Sequence, residues 1–355
     1  MEGVSVPLHN CLIRKIDQML AFVLRRSMWM LVVLFAVSIV TFFLLRAVPG
    51  GPFNTERGLP PGVLENLEAK YGLDDPPLIQ YVNYIVDITI PRLTDGSFRR
   101  SFSEDYLINI DLPFGDERAL RWMNFGPSLR QRSRTVNSIF QDNLPISIEL
   151  GFAALAVALA IGIPLGVIAA LKRNSWFDYS SMGVAILGVS VPTIVLAPIL
   201  QWIFGVELKI LPVSGWGSPE QAIMPSFALG FAQSALIARL TRASLLQIMH
   251  EDYIRTARAK GLSERVVVAK HALKNAMIPV VTILGPLAAA LLTGTFVTEV
   301  IFGIPGMGKF FVQSITNRDY TVVMGTVLMY AVFLVLANLL VDITYAWIDP
   351  RIRYD

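Results

Sequence analysis

The sequence predicts an all-α polytopic membrane protein, and three observations carry that prediction. Of 355 residues, 54% are hydrophobic and 16% are charged, against about 45–50% and about 25% in soluble domains. Mean hydropathy is +0.56. The apolar residues gather into six runs: Met28–Val48, Leu144–Leu171, Ser180–Phe204, Ile223–Leu246, Ile278–Phe302 and Val322–Ile348. Each is long enough to cross a hydrocarbon core of about 30 Å as a helix, which takes roughly 20 residues.

Charge and cysteine usage exclude other classes. The formal charge of +3 is small and scattered, which argues against a nucleic-acid partner. Cys11 is the one cysteine, so no intrachain disulfide can form. His9, His250 and His271 do not cluster, so no Cys/His metal site is expected.

In chain order, residues 1–27 come first. Leu8, Leu12, Ile16, Met19, Leu20 and Val23 recur at helical spacing beside Arg14, Lys15, Arg25 and Arg26. This pattern predicts an interfacial amphipathic helix leading into the first span at 28–48. That span starts too far in, and is too long, for a cleaved signal peptide. Residues 49–143 carry ten Arg/Lys and thirteen Asp/Glu, with Pro-Gly punctuation throughout. They are expected to form a small extracytoplasmic subdomain with helices at Pro61–Tyr71 and Leu78–Ile88. Residues 144–348 hold the other spans, with a polar connection at 247–278, and 349–355 form a short tail.

Lys and Arg near the span ends set the orientation. Arg14, Lys15, Arg25 and Arg26, then Lys172 and Arg173, the basic 247–278 segment, and Arg351 and Arg353 all fall on one side. Both termini are therefore expected to be cytoplasmic. Long loops such as 49–143 translocate largely regardless of charge.

Gly162 and Gly166 form a small-xxx-small pair in the second run, where helices can approach closely. Pro164, Pro192, Pro198 and Pro286 are expected to interrupt spans, which is tolerated where neighbours or a cavity satisfy the freed backbone. Glu149, Arg239, Glu299, Asn338 and Asp342 lie in or near spans. Ionisable groups at depth face the interior or a pathway, and these residues fit either a translocation path or structural polar contacts. Amide substitutions at Asp342 or Glu299 are expected to change transport modestly. No Gly-x-x-x-x-Gly-Lys-Ser/Thr loop, Gly-x-Ser-x-Gly elbow or His-Glu-x-x-His motif is present, so the chain is expected to be non-catalytic, with nucleotide energy supplied from elsewhere.

The discriminating segment is Asp252-Tyr253-Ile254-Arg255-Thr256-Ala257-Arg258-Ala259-Lys260-Gly261-Leu262. A short helix over Tyr253–Lys260, ended by a left-handed Gly261 and restarted after Ser263, would make a protruding knob. The string resembles the signature loop of ATP-binding-cassette importer permeases, in the form typical of the peptide-permease branch. Arg255-Thr256-Ala257 stands at the Glu-Ala-Ala positions of that loop and Gly261 at its Gly. The Glu is absent, and the gap to Pro279 is longer. The similarity continues in Arg46-Ala47-Val48-Pro49-Gly50-Gly51-Pro52, Asn124-Phe125-Gly126-Pro127-Ser128, Glu299–Gly308, Asn317-Arg318-Asp319-Tyr320 and Val341–Arg353. It covers about Phe22 to Tyr354 and is most like the first permease of an oligopeptide importer.

The resemblance implies a type I importer permease fold with six transmembrane helices, in a prokaryotic cytoplasmic membrane. It implies a sister permease, two P-loop ATPase subunits that hold ATP and Mg, and an extracytoplasmic binding protein, with no cofactor on this chain. The residues from Tyr253 to Leu262 would then couple ATPase motion to the bundle, and Ala257→Glu or Gly261→Pro would block transport without unfolding it. Relatives with this architecture import dipeptides, nickel complexes or oligosaccharides as well. Two other classes remain open. A proton-coupled carrier would expect internal repeats and paired midplane carboxylates. A membrane sensor would expect a signalling domain, and eight residues follow Trp347.

Overall fold

The computed structural model of the chain describes residues 8–53, 60–95, 105–111, 118–131, 133–293 and 296–348. Helix α1 runs unbroken from Leu8 to Ala47 over 40 residues. The leading amphipathic segment and the first span are thus one element. No Gly or Pro lies between Leu8 and Ala47, so nothing in the chain stops the helix until Pro49.

An insert follows. It contains α2 (Pro61–Tyr71) and α3 (Pro77–Thr89), each with proline in its first turn, where the missing N–H costs nothing. Gly72, left-handed at φ +62°, closes α2. The insert also holds a feature that the all-α expectation omits. Strands β1 (Arg92–Asp95), β2 (Ile108–Asp111) and β3 (Arg118–Trp122) form an antiparallel sheet in the order β1-β3-β2. Leu93 and Ile110 both pair with Leu120.

The bundle comprises α4 (Val136–Leu171), α5 (Trp176–Ser190), α6 (Thr193–Leu200), α7 (Pro219–Ile248), α8 (Asp252–Ala259), α9 (Glu264–Val266), α10 (Leu273–Ala276), α11 (Ile278–Thr293), α12 (Phe296–Phe302), α13 (Gly308–Asn317) and α14 (Tyr320–Ile348). Among the described residues, four stretches are long and apolar enough to cross a membrane unbroken: Val23–Ala47, Val136–Leu171, Pro219–Ile248 and Tyr320–Ile343. Two bent pairs complete the set, α5 with α6 at 102° and α9–α10 with α11 at 48°. The third run is therefore not one straight helix. Val191 is extended at φ −94°, ψ 111°, the conformation imposed on a residue before proline, and Pro192 then opens α6. Of the four prolines expected to interrupt spans, Pro192 does so. Pro164, Pro198 and Pro286 sit inside α4, α6 and α11. After Pro198 the helix widens to π geometry over Gln201–Glu207, a frequent adjustment where the backbone ladder is disturbed. The fifth run divides too: α11 ends at Thr293 and α12 begins at Phe296.

The centre of the bundle is the α4–α7 contact. A Cβ on Gly162 would sit 2.7 Å from the Ser234 carbonyl, one on Gly166 2.6 Å from the Ala238 carbonyl, and one on Gly230 2.3 Å from the Ala154 carbonyl. The two backbones meet through these notches, as small residues permit. Around them Leu150, Ala158, Ile237, Val280, Leu287 and Phe302 form the main core. The insert seats on one end of this bundle. Phe125, Val136, Phe140, Met307, Phe310 and Val322 form one cluster there, and Phe42, Tyr81, Met324 and Leu328 form another.

Candidate functional site

The sequence-predicted coupling segment lies at the end of the bundle opposite the insert. Helix α8 covers Asp252–Ala259 and Gly261 follows in the left-handed region at φ +76°, as expected. Its N–H donates to the Arg258 carbonyl at 2.9 Å. The chain restarts at Glu264, and Arg258 clamps the restart with two bonds, 3.1 Å and 2.7 Å, to the Glu264 carboxylate. The Arg258 guanidinium holds the Glu264 carboxyl below its usual value. This contact is present at neutral pH and fades as acid protonates Glu264. Both side chains are exposed, so its contribution to stability is small.

The seat of α8 differs from the expected one. Ala257 does not project toward a partner: it is 6% exposed and packs with Ile254, Leu245, Ala170, Val267, Ala272 and Ala276. The spacing of Ile254 and Ala257 puts both on the inner face. The outward ridge is Tyr253, Arg255, Thr256, Arg258, Ala259, Lys260, Gly261 and Leu262, all exposed. Asn275 donates to the Tyr253 hydroxyl at 2.8 Å, linking α8 to α10. The α8–α10 unit is thus a compact block wedged between the end of α7 and the bend before α11. Met277 separates α10 from α11, and Pro279 in the first turn of α11 lies at the 48° bend.

The membrane-embedded polar residues do not converge. Glu149 is exposed near the insert, and its carboxylate accepts a 3.4 Å bond from the Trp216 indole. Arg239 is exposed on α7. Asp342 of α14 forms an ion pair with Arg26 of α1 at 2.8 Å, and Asn338 is half-buried one turn earlier. Glu299 is buried at 1% exposure in a network that ties three elements. Ser147 donates to its Oε1 at 2.7 Å, and the Gly308 N–H donates to Oε2 at 2.8 Å. The Met307 N–H completes the network by donating to Ser147 Oγ at 2.8 Å. Glu299 therefore caps α13 and fixes the 303–307 turn. A Glu299→Gln change removes the charge and one of the two acceptors and forces the Ser147 hydroxyl proton to turn away, so it is expected to cost about 2 kcal/mol. Thermal unfolding of the purified chain checks this, with Ser147→Ala losing a comparable amount.

Two further polar centres were not singled out from sequence. Asp178, 2% exposed, accepts from Arg242 Nε at 2.8 Å and Nη2 at 2.7 Å, and from the Asn174 N–H at 3.0 Å. This joins the α4–α5 turn to α7 close to the α8 block. Asp319 opens α14 and clamps the insert: Ser128 Oγ donates to it, as do the Leu129 N–H at 3.1 Å and Thr321 Oγ1 at 3.0 Å. Asp319 was visible only as part of a longer string, and Asp178 lies at the edge of an apolar run whose partner is 64 residues away. Among the described residues, no group of His, Cys, Asp and Glu could hold a metal ion.

Comparison with known proteins covers nearly the whole chain. Residues 162–354 match the family described as binding-protein-dependent transport system inner membrane component, and residues 19–99 match its N-terminal counterpart. The dipeptide transport system permease protein DppB of Bacillus subtilis is 43% identical over 335 residues, spanning 94% of this chain and 98% of that one. The oligopeptide transport system permease protein OppB of Salmonella typhimurium is 41% identical over 338 residues, 95% and 100% of the two chains. Among solved structures, an inward-facing form of the MetNI methionine ABC transporter superposes with a TM-score of 0.50 at 22% identity, over 60% of this chain and 97% of that one.

Proposed function

The chain belongs to the binding-protein-dependent transport system inner membrane components, and on that premise we propose that it is the first permease subunit of an oligopeptide importer. It is a multi-pass membrane protein of peptide-importer permease type. A sister permease would complete the path with it. Two ATPase subunits, holding ATP and Mg at their own sites, would drive it, and a binding protein would deliver cargo on the insert side. The α8–α10 block and both termini would face the cytoplasm of a prokaryote, and the insert would lie outside. The chain itself performs no chemistry.

The observation that carries the mechanism is the buried seat of α8. A helix anchored by Ile254 and Ala257, clamped by Arg258–Glu264 and joined to α10 through Tyr253–Asn275, would move as a rigid piece. Its exposed ridge would dock on the ATPase. When the ATPase pair closes on ATP, the block would transmit that motion to α7 and α11 as a rigid-body switch. The bundle would open toward the insert, accept a peptide and reset after hydrolysis.

The test is a mild-detergent pull-down of the tagged chain from its native membrane, followed by reconstitution. Recovery of a second permease with P-loop ATPases, and ATP-dependent uptake of a labelled pentapeptide, are expected. Recovery of the chain alone, under conditions that hold known complexes together, would sink the reading. Dipeptide cargo is the alternative, and a labelled dipeptide taken up in preference to the pentapeptide would establish that one instead.

A further inference from the structure

The end of α1, the 71–75 turn with α3, the 124–129 stretch of the insert and the start of α14 line one cavity of about 390 Å³. That volume lies in the range of small-molecule sites, about 300–1,000 Å³. Arg46 is its cation. The guanidinium lies 3.5 Å from the Phe42 ring centroid and 5.7 Å from that of Tyr320. Its Nη2 donates to Gln80 Oε1, and its Nη1 is buried with no acceptor. Among the described residues, no carboxylate pairs with it.

Gln80 cannot neutralise this charge, but it fixes it in place. The Gln80 amide donates to the Leu73 carbonyl at 3.0 Å and the Asp75 carbonyl at 2.6 Å, so its oxygen is held toward Arg46. Asp75, exposed to solvent, lines the same cavity, and among the described residues it has no cationic partner; the other lining carboxylate, Asp87, pairs with Arg92. Tyr84, also in the wall, has a buried hydroxyl with no partner. A half-buried cation short of an anion and a solvent-exposed carboxylate thus share one cavity, joined through one glutamine and flanked by aromatic rings. Unpaired charge near low-dielectric walls is costly; a ligand carboxylate would relieve that cost at Arg46, and an ammonium on the same ligand would find its counter-ion in the exposed Asp75.

We infer that this cavity binds a small zwitterion, a free amino acid or a dipeptide, separately from the transport path. The ligand carboxylate sits on Arg46, its ammonium on Asp75, and its side chain against Phe42 and Tyr84. The site lies between the insert, α1 and α14 and involves none of the α8–α10 block, so the inference stands or falls independently of the peptide-import reading.

The test uses the intact complex in nanodiscs, titrated with L-phenylalanine and with the dipeptide Ala-Phe. Saturable binding is expected for at least one of the two, with phenethylamine and 3-phenylpropionate, each lacking one charge, roughly tenfold weaker or worse. Arg46→Gln should weaken binding at least about tenfold. Asn83→Trp, which places an indole at the exposed cavity wall, should abolish it. Binding that survives both substitutions lies elsewhere, the transport path included, and overturns the inference. So does the absence of saturable binding up to about 10 mM, or phenethylamine binding as tightly as phenylalanine. If Arg46→Gln does not assemble, Asn83→Trp alone decides: loss supports the site and retention overturns it.

Discussion

Replacing Ala257 with Glu is expected to abolish substrate-stimulated ATPase activity in the reconstituted complex, by unseating α8 rather than by obstructing a docking surface. Ala257 is 6% exposed among Ala170, Leu245, Ile254, Val267, Ala272 and Ala276. A carboxylate there has no partner, and an unpaired buried charge costs about 3–5 kcal/mol. An eight-residue helix held by two apolar anchors cannot absorb that, so α8 should detach and become sensitive to protease while the rest of the bundle stays folded. Gly261→Pro should produce the same loss for a different reason. Proline cannot reach φ +76° and removes the N–H that bonds to the Arg258 carbonyl. Thr256→Glu separates seat from surface. Thr256 is exposed one residue away, so α8 should stay protease-resistant, and coupling should fall only if the ridge docks. A wild-type ATPase response and an intact α8 in the Ala257→Glu protein would contradict the buried seat.

The second large effect is expected at Arg242, and it should be asymmetric. The Asp178 side chain is 3% exposed and that of Arg242 is 29% exposed. Arg242→Met leaves a buried carboxylate with the Asn174 N–H as its remaining bond among those described, and should cost about 3–5 kcal/mol. Asp178→Leu leaves a guanidinium that can extend its head toward water along its own stem, and should cost less. The double substitution should recover much of the Arg242→Met loss, because neither charge is then stranded. Unfolding midpoints of the three detergent-solubilised proteins check the cycle. Equal losses in the single variants and no recovery in the double would show that the pair is not the source of the effect.

What could be read from sequence followed the reach of local rules. Apolar runs of twenty residues, Pro at N1 and Gly past a helix end are set within a few positions, and α2, α3, α7 and α14 match them closely; α4 starts eight residues before its apolar run, at Val136 behind the Thr135 cap. The string from Tyr253 to Leu262 gave the helix, its left-handed stop and its restart. It did not give the side of α8 that faces inward, because a buried alanine and a docking alanine look alike until Leu245 and Val267 are placed beside it. The 102° bend at Pro192 was hidden because an apolar run reads the same whether it crosses straight or turns back. The small sheet was missed because β1 to β3 are four to five residues each and mix charge with apolar residues. Glu299 was visible as a charge in a span. Its role was not, since Ser147 is 152 residues away.

The glycine notches between α4 and α7 bear on how the protein is made. Gly162 and Gly166 need the backbone of residues 234–238, and Gly230 needs that of Ala154. In the folded bundle α7 fills those notches, and α7 is synthesised after α5 and α6. Once residue 171 has been added, 77 more must follow before α7 is complete at Ile248, roughly 4–15 s at 5–20 residues per second. During that interval the glycine strip of α4 lacks the α7 backbone that covers it in the finished bundle. Assembly of the bundle is thus timed by the arrival of α7. A premature stop or a prolonged pause within residues 172–218 would leave a span that is inserted but unmated, a natural substrate for membrane quality control.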